Sequence, residues 1–183
     1  MPRLFIALEI PPDIVQTLAS MRGGLHGARW LDPENYHLTL CFIGDIDPVR
    51  AEELDLQLGH LRGNPLKVTV QQLSSLGERK PHSVIAEIAS TCPLRELRNE
   101  LKRIVHRARI RLERRKYIPH VTLARFKDVS SVELADYLTI RGYFPPLSFT
   151  ATRVALFSAR PLTGGGPYVI ERTYELTGKS QQH

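Results

Sequence analysis

The residue types best suited to chemistry lie in two tetrapeptides, His37-Leu38-Thr39-Leu40 and His120-Val121-Thr122-Leu123. On a β-strand, residues two apart share a face. His37 and Thr39 therefore point one way and Leu38 and Leu40 toward the core; His120 and Thr122 share a face opposite Val121 and Leu123. Histidine titrates near pH 6.5, so a neutral ring can take a proton from water while a protonated one gives a proton to a departing alkoxide. Threonine hydroxyls can hydrogen-bond non-bridging phosphate oxygens. Attack of water on a strained cyclic phosphodiester needs little beyond in-line placement and charge stabilisation, and in principle no metal. A lone strand histidine is more often a surface or hydrogen-bonded residue, which is how His26, His60, His82, His106 and His183 read. Two matched motifs, 83 positions apart at His37 and His120, are a much stronger signal.

The elements that position these motifs repeat in the same order. Alternation over Leu4–Ile10 predicts a strand, and Tyr36–Ile43 a second one closed by Gly44. Ile14, Val15, Leu18, Met21 and Leu25 recur at helical spacing after Pro12, and Asp47-Pro48 opens a helix with Leu54, Leu58 and Leu61 inward. Leu66–Val70 and Val84–Ile88 read as strands. Leu94, Leu97, Leu101, Ile104, Ala108 and Leu112 keep to one face of the longest helix. A strand over about His120–Phe126 follows, then a helix opened by the capping box Ser130-x-x-Glu133, with strands over Phe149–Phe157 and Tyr168–Leu176 on either side of Gly164–Gly166. Helix starts at Pro12 and Pro93 lie 81 apart, and those at Asp47 and Ser130 lie 83 apart, as the motifs do. Two copies of about 80 residues are too few for a solenoid. They predict an α+β fold in which two pseudo-symmetric antiparallel sheets with outer helices face each other across a central cleft. The expected unit is one bilobal domain over residues 1–178, with a frayed tail at 179–183.

Composition narrows the setting. With 183 residues, 42% of them hydrophobic, the chain can build a core and is not globally disordered. No apolar run reaches the roughly 18–20 residues of a membrane span, and the longest early one, Leu4–Ile10, contains Glu9. The N-terminus does not read as a signal peptide. Cys41 and Cys92 form neither a disulfide framework nor a zinc pattern. A monomer in a reducing cytoplasm is the default expectation. The net charge of +6 favours polyanionic partners such as RNA. Nine of the nineteen residues from Arg98 to Lys116 are Lys or Arg. Two readings fit them equally: a solvated helix face that complements the helix dipole, or a backbone track for RNA leading to His120.

The sequence resembles the 2H phosphoesterase superfamily, named for its two His-x-Thr/Ser-x motifs, and most closely the bacterial and archaeal RNA 2′,3′-cyclic phosphodiesterases, also called 2′-5′ RNA ligases. The likeness runs over nearly the whole chain: the opening Arg3–Ile10, Arg29-Trp30, His37–Gly44, Pro119–Arg125, Ser158 and Gly166-Pro167-Tyr168. It implies hydrolysis of a terminal 2′,3′-cyclic phosphate to a 2′-phosphomonoester, with RNA or cyclic nucleotides as partners. It implies His37 as proton donor to the 3′ oxygen, His120 as the acceptor activating water, Thr39 and Thr122 holding the phosphate, and Arg125 adding charge. Joining RNA ends through a 2′-5′ bond would be the reverse-type reaction, and no metal or nucleotide cofactor is implied.

Strand parity raises two questions. It puts Arg125 on the face opposite His120 and Thr122, so Arg125 reaches a phosphate only if the strand twists, bulges or ends there. It also puts Phe42 in the core. Trp30 could line the cleft or cap the core. Competing readings are the same two-histidine chemistry on small cyclic nucleotides or 2′-5′ oligonucleotides, a weakly active RNA-binding protein, and a metal hydrolase using His37 and His120; the last lacks further residues at ligand-like spacing.

Overall fold

The computed structural model describes residues 3–159 and 167–178. Nine strands and four α-helices are found among these residues: β1 (Arg3–Glu9), α1 (Pro12–Ala19), β2 (Arg29–Trp30), β3 (His37–Asp45), α2 (Pro48–Leu58), β4 (Leu66–Leu76), β5 (Ser83–Ile88), α3 (Cys92–Arg107), β6 (His120–Arg125), α4 (Ser131–Arg141), β7 (Leu147–Ala151), β8 (Arg153–Ala159) and β9 (Tyr168–Glu175). They form two antiparallel sheets, ordered β3-β1-β8-β9 and β2-β6-β5-β4-β7.

Each sheet draws strands from both halves of the chain. In the first sheet the early pair β1 and β3 joins β8 and β9 from the C-terminal part; in the second, β5 and β6 join β4, which precedes them, and the short β2. This exchange places the two motif strands, β3 and β6, in different sheets, and the two strands touch across the molecule.

Helix starts follow local chemistry. The Asp47 carboxylate accepts from the Arg50 N–H at 2.9 Å, and Thr91 Oγ1 accepts from the Leu94 N–H. Ser130 caps α4 by accepting from the Glu133 N–H at 3.1 Å, while its hydroxyl donates to the Glu133 carboxylate. The apolar stripes of the helices share one large cluster with a single face of each sheet, including Leu18, Leu38, Leu54, Leu101, Val121 and Leu134. Burial of this kind contributes about 25 cal/mol per Å² of apolar surface, and it leaves the opposite faces of the sheets for the site.

Three expectations need correction. The helix signalled by Ile14 through Leu25 ends at Ala19. The longest helix stops at Arg107, and Leu112 lies outside it. Arg109 takes a left-handed backbone (φ 58°) and the Ile110 N–H bonds the Val105 carbonyl, a Schellman closure made without the usual glycine. Ile110 is buried beyond this stop, so the apolar pattern runs on after the helix has ended. Finally, Phe149–Phe157 is not one strand. The chain leaves one sheet after Ala151 and enters the other at Arg153. Gly164–Gly166 and the tail at 179–183 lie outside the described residues.

Candidate active site

His37 and His120 open their strands and are seated alike. The Nδ1 of His37 lies 2.8 Å from the Asn35 carbonyl, and the Nδ1 of His120 lies 2.6 Å from the Ile118 carbonyl, in each case the carbonyl two residues upstream. A carbonyl only accepts, so Nδ1 of each ring carries the hydrogen and Nε2 keeps the lone pair, able to accept a proton. Burial lowers the His37 pKa from 6.5 to about 4, against the raising effect of the Asn35 carbonyl, with further lowering from the nearby charges of His120 and Arg125. The His120 pKa is also lowered, chiefly by burial and then by Arg125 and His82. At neutral pH both rings are therefore neutral.

The His37 ring sits in an aromatic frame. Phe5 lies 4.8 Å away, Tyr168 meets it edge-on at 5.0 Å, and Phe157 lies 5.8 Å away while stacking on Phe5. Phe5, Ala7, Ala155 and Phe157 form a separate small cluster on the side of the first sheet away from the main core. The frame accounts for the burial that keeps His37 uncharged.

A matched irregularity in the two strands overturns the parity argument. Ile6 pairs with Cys41 and Ala7 with Thr39, so Leu40 is the extra residue of a β-bulge. On the other strand Val84 pairs with Ala124 and Ile85 with Thr122, so Leu123 is the extra residue. In both motifs the fourth residue is the bulged one. Two successive residues then face the core, Leu40-Cys41 and Leu123-Ala124, all buried. The alternation resumes one step out of phase. Arg125 emerges beside Thr122, lining a cleft with it and His120. Phe42 emerges at the equivalent place, directly opposite Phe5 and 52% exposed, not in the core. Trp30 packs against the core and against Tyr137, with ring centroids 5.7 Å apart.

The structure thus brings His37, Thr39, His120, Thr122 and Arg125 to the inner faces of two adjoining sheets. Sequence reasoning missed Tyr117, whose hydroxyl donates a 2.7 Å hydrogen bond to the Thr39 carbonyl. It read Arg98 as part of a basic run. Arg98 instead stacks over the Tyr117 ring at 3.9 Å and bonds the Leu40 carbonyl at 3.1 Å. Other members of that run are paired locally, Arg103 and Arg107 with Glu100 and Arg115 with Glu113. Among the described residues no group of three or more His, Cys, Asp or Glu is arranged to hold a metal ion, and no helix is long and apolar enough to cross a membrane.

The chain is similar to several known proteins in sequence and in fold. An RNA 2′,3′-cyclic phosphodiesterase of Bacillus subtilis (strain 168) is 31% identical over 130 residues, covering 68% of this chain and 71% of that protein. One of the same name from Escherichia coli (strain K12) is 25% identical over 186 residues, covering 96% and 97%. In fold, the chain is similar to E. coli LigT crystallised with 3′-AMP, with a TM-score of 0.77 at 23% identity over 97% of this chain and 99% of that one. A structure from Thermus thermophilus gives a TM-score of 0.78 at 23% identity, covering 97% of this chain and 99% of that one. The model of the LigT like phosphoesterases matches twice, over residues 8–86 and 88–168, one match for each His-x-Thr-Leu motif. The chain belongs to the LigT like phosphoesterase family.

Proposed function

We propose that this chain hydrolyses the terminal 2′,3′-cyclic phosphate of RNA to a 2′-phosphomonoester, by acid–base catalysis between His37 and His120. The observation that carries the reading is the matched seating of the two rings on touching strands, each with Nδ1 spent on a backbone carbonyl and Nε2 left for proton transfer. The names of the curated relatives supply the substrate class.

In the proposed reaction the His120 Nε2 takes a proton from water as its oxygen bonds to phosphorus. The P–O3′ bond breaks, and the 3′ oxygen leaves with the proton of a protonated His37. Thr39 and Thr122 donate hydrogen bonds to the non-bridging oxygens, and Arg125 offsets their charge. The depressed His37 pKa means that its proton arrives with the substrate, because an anionic phosphate beside the ring stabilises the imidazolium. If the hydroxyl of a second RNA end replaces water as nucleophile, the same steps form a 2′-5′ bond.

The test is incubation with a nucleoside 2′,3′-cyclic phosphate and with a short RNA bearing that end, with and without chelator. The expected result is chelator-resistant formation of a 2′-phosphate. A 3′-phosphate product would reverse the donor and acceptor roles, chelator sensitivity would favour a metal mechanism, and turnover of 2′-5′ oligonucleotides alone would move the substrate class.

A further inference from the structure

We propose that the cleft running from His120 along the end of β6 is a second anion site, built to hold the phosphodiester one nucleotide upstream of the reacting phosphate. The proposal rests on the RNA reading above and deepens it. An RNA substrate differs from a cyclic mononucleotide in one unavoidable way: its chain continues through the 5′ oxygen of the terminal ribose. One more phosphate therefore always lies a single sugar away from the reacting one.

The cleft has a volume of about 810 Å³ and begins at His120 and Thr122. Beyond them it is lined by Arg29, Arg125, Lys127 and His82, with Asp128 as the one carboxylate of its wall. Arg29 and Arg125 are paired directly opposite each other on β2 and β6. Two guanidinium groups so placed can both bond to a single anion lying over the ladder. Neither Arg29 nor Lys127 has a carboxylate within ion-pair distance among the described residues. Ser83 lies opposite Arg125 on its other side, and its hydroxyl is 2.8 Å from the Nδ1 of His82. Three strands, β2, β6 and β5, thus present Arg29, Arg125 and Ser83 in one row beside Thr122.

The electrostatics of a neighbouring groove support the direction. The groove beside Tyr36 and Phe157, about 700 Å³, is apolar with Glu9 and Glu34 in its wall, which suits no phosphate. Phosphate contacts position a nucleic acid without reading its sequence, so the site selects for chain length and not for the base.

Binding can be measured without turnover, which separates this proposal from the catalytic one. Calorimetric titration with uridine 3′-monophosphate and with uridine 3′,5′-bisphosphate reads the contribution of the added 5′ phosphate. The wild-type protein is expected to bind the bisphosphate at least about tenfold more tightly, in line with one charge-assisted contact. Arg29→Ala and Lys127→Ala, two separate exposed positions, should each cut that advantage to about threefold or less. Equal affinity of the wild type for the two ligands would overturn the site, as would an advantage untouched by either variant. Failure to hydrolyse any cyclic phosphate would sink the phosphodiesterase reading while leaving this binding result to stand or fall by itself.

Discussion

Tyr117 holds Thr39 by its backbone: the phenol donates to the Thr39 carbonyl at 2.7 Å, bridging the segment before one motif to the strand of the other. Tyr117 lies three residues before His120, and Thr39 two after His37. With Arg98 stacked on its ring and bonded to the next carbonyl, Leu40, the phenol satisfies the outer edge of β3 and fixes its distance from β6. Tyr117→Phe keeps the stacking ring and removes the bond. We expect a stability loss of about 1 kcal/mol, or roughly 2–4 °C in Tm. Because small misplacements of reacting groups are costly, kcat should fall several-fold while KM changes little. An unchanged kcat beside a lowered Tm would make the contact purely structural.

His37→Ala and His120→Ala should each reduce kcat by about 10²–10⁴-fold. The double variant should be little worse than either single one, since in the proposed mechanism the two rings act as a unit. Thermal melting at pH 7 serves as the control, and a variant retaining more than a tenth of wild-type kcat with intact folding would remove that ring from the proton path.

In the proposed mechanism, titration of His37 links activity to pH. Its folded pKa, about 4, lies below the ordinary 6.5, and that of His120 is lowered too. The free-enzyme profile of kcat/KM should therefore lie to the acid side of that expected for two ordinary histidines. The kcat profile should move to higher pH, because bound phosphate favours both imidazolium forms. Superimposable profiles would contradict substrate-induced protonation.

The same depressed pKa sets a stability trend. Between about pH 6.5 and 4 the unfolded chain binds a proton at His37 that the folded chain refuses, so stability rises with pH across this window and falls as acid is added. Urea midpoints of the wild type should drop on going from pH 7 to pH 4 by more than those of His37→Gln. Equal drops would show that carboxylates alone account for the acid sensitivity.

The bulges make a prediction of contrast. Phe42 and Phe157 are both sheet phenylalanines, yet Phe42 is 52% exposed and Phe157 only 7%. Phe157→Ala should cost about 3–5 kcal/mol and Phe42→Ala only about 0.5 kcal/mol in chemical denaturation. A large cost at Phe42 would restore the unbroken parity of β3.

Much of this was legible in the chain itself. The paired His-x-Thr-Leu motifs, their spacing and their strand faces follow from residue type and a period of two. Asp47, Ser130 and Glu133 mark helix starts through side-chain bonds that span only three residues, so local sequence suffices. The end of α3 was hidden because Arg109, not glycine, takes the left-handed position while Ile110 continues the apolar pattern.

What the sequence by itself determined was the set of candidate side chains on the two motif strands and the two-sheet α+β plan. Only the tertiary structure decided which partner each group meets. The exchange of strands between halves, the bulges at Leu40 and Leu123, the Tyr117 bond to Thr39 and the facing of Arg29 and Arg125 depend on contacts between distant segments. The bulges are the clearest case. An extra residue in one strand exists only relative to the register of its neighbour, so no pattern within His37–Phe42 or His120–Arg125 taken alone could specify which face Phe42 and Arg125 would reach.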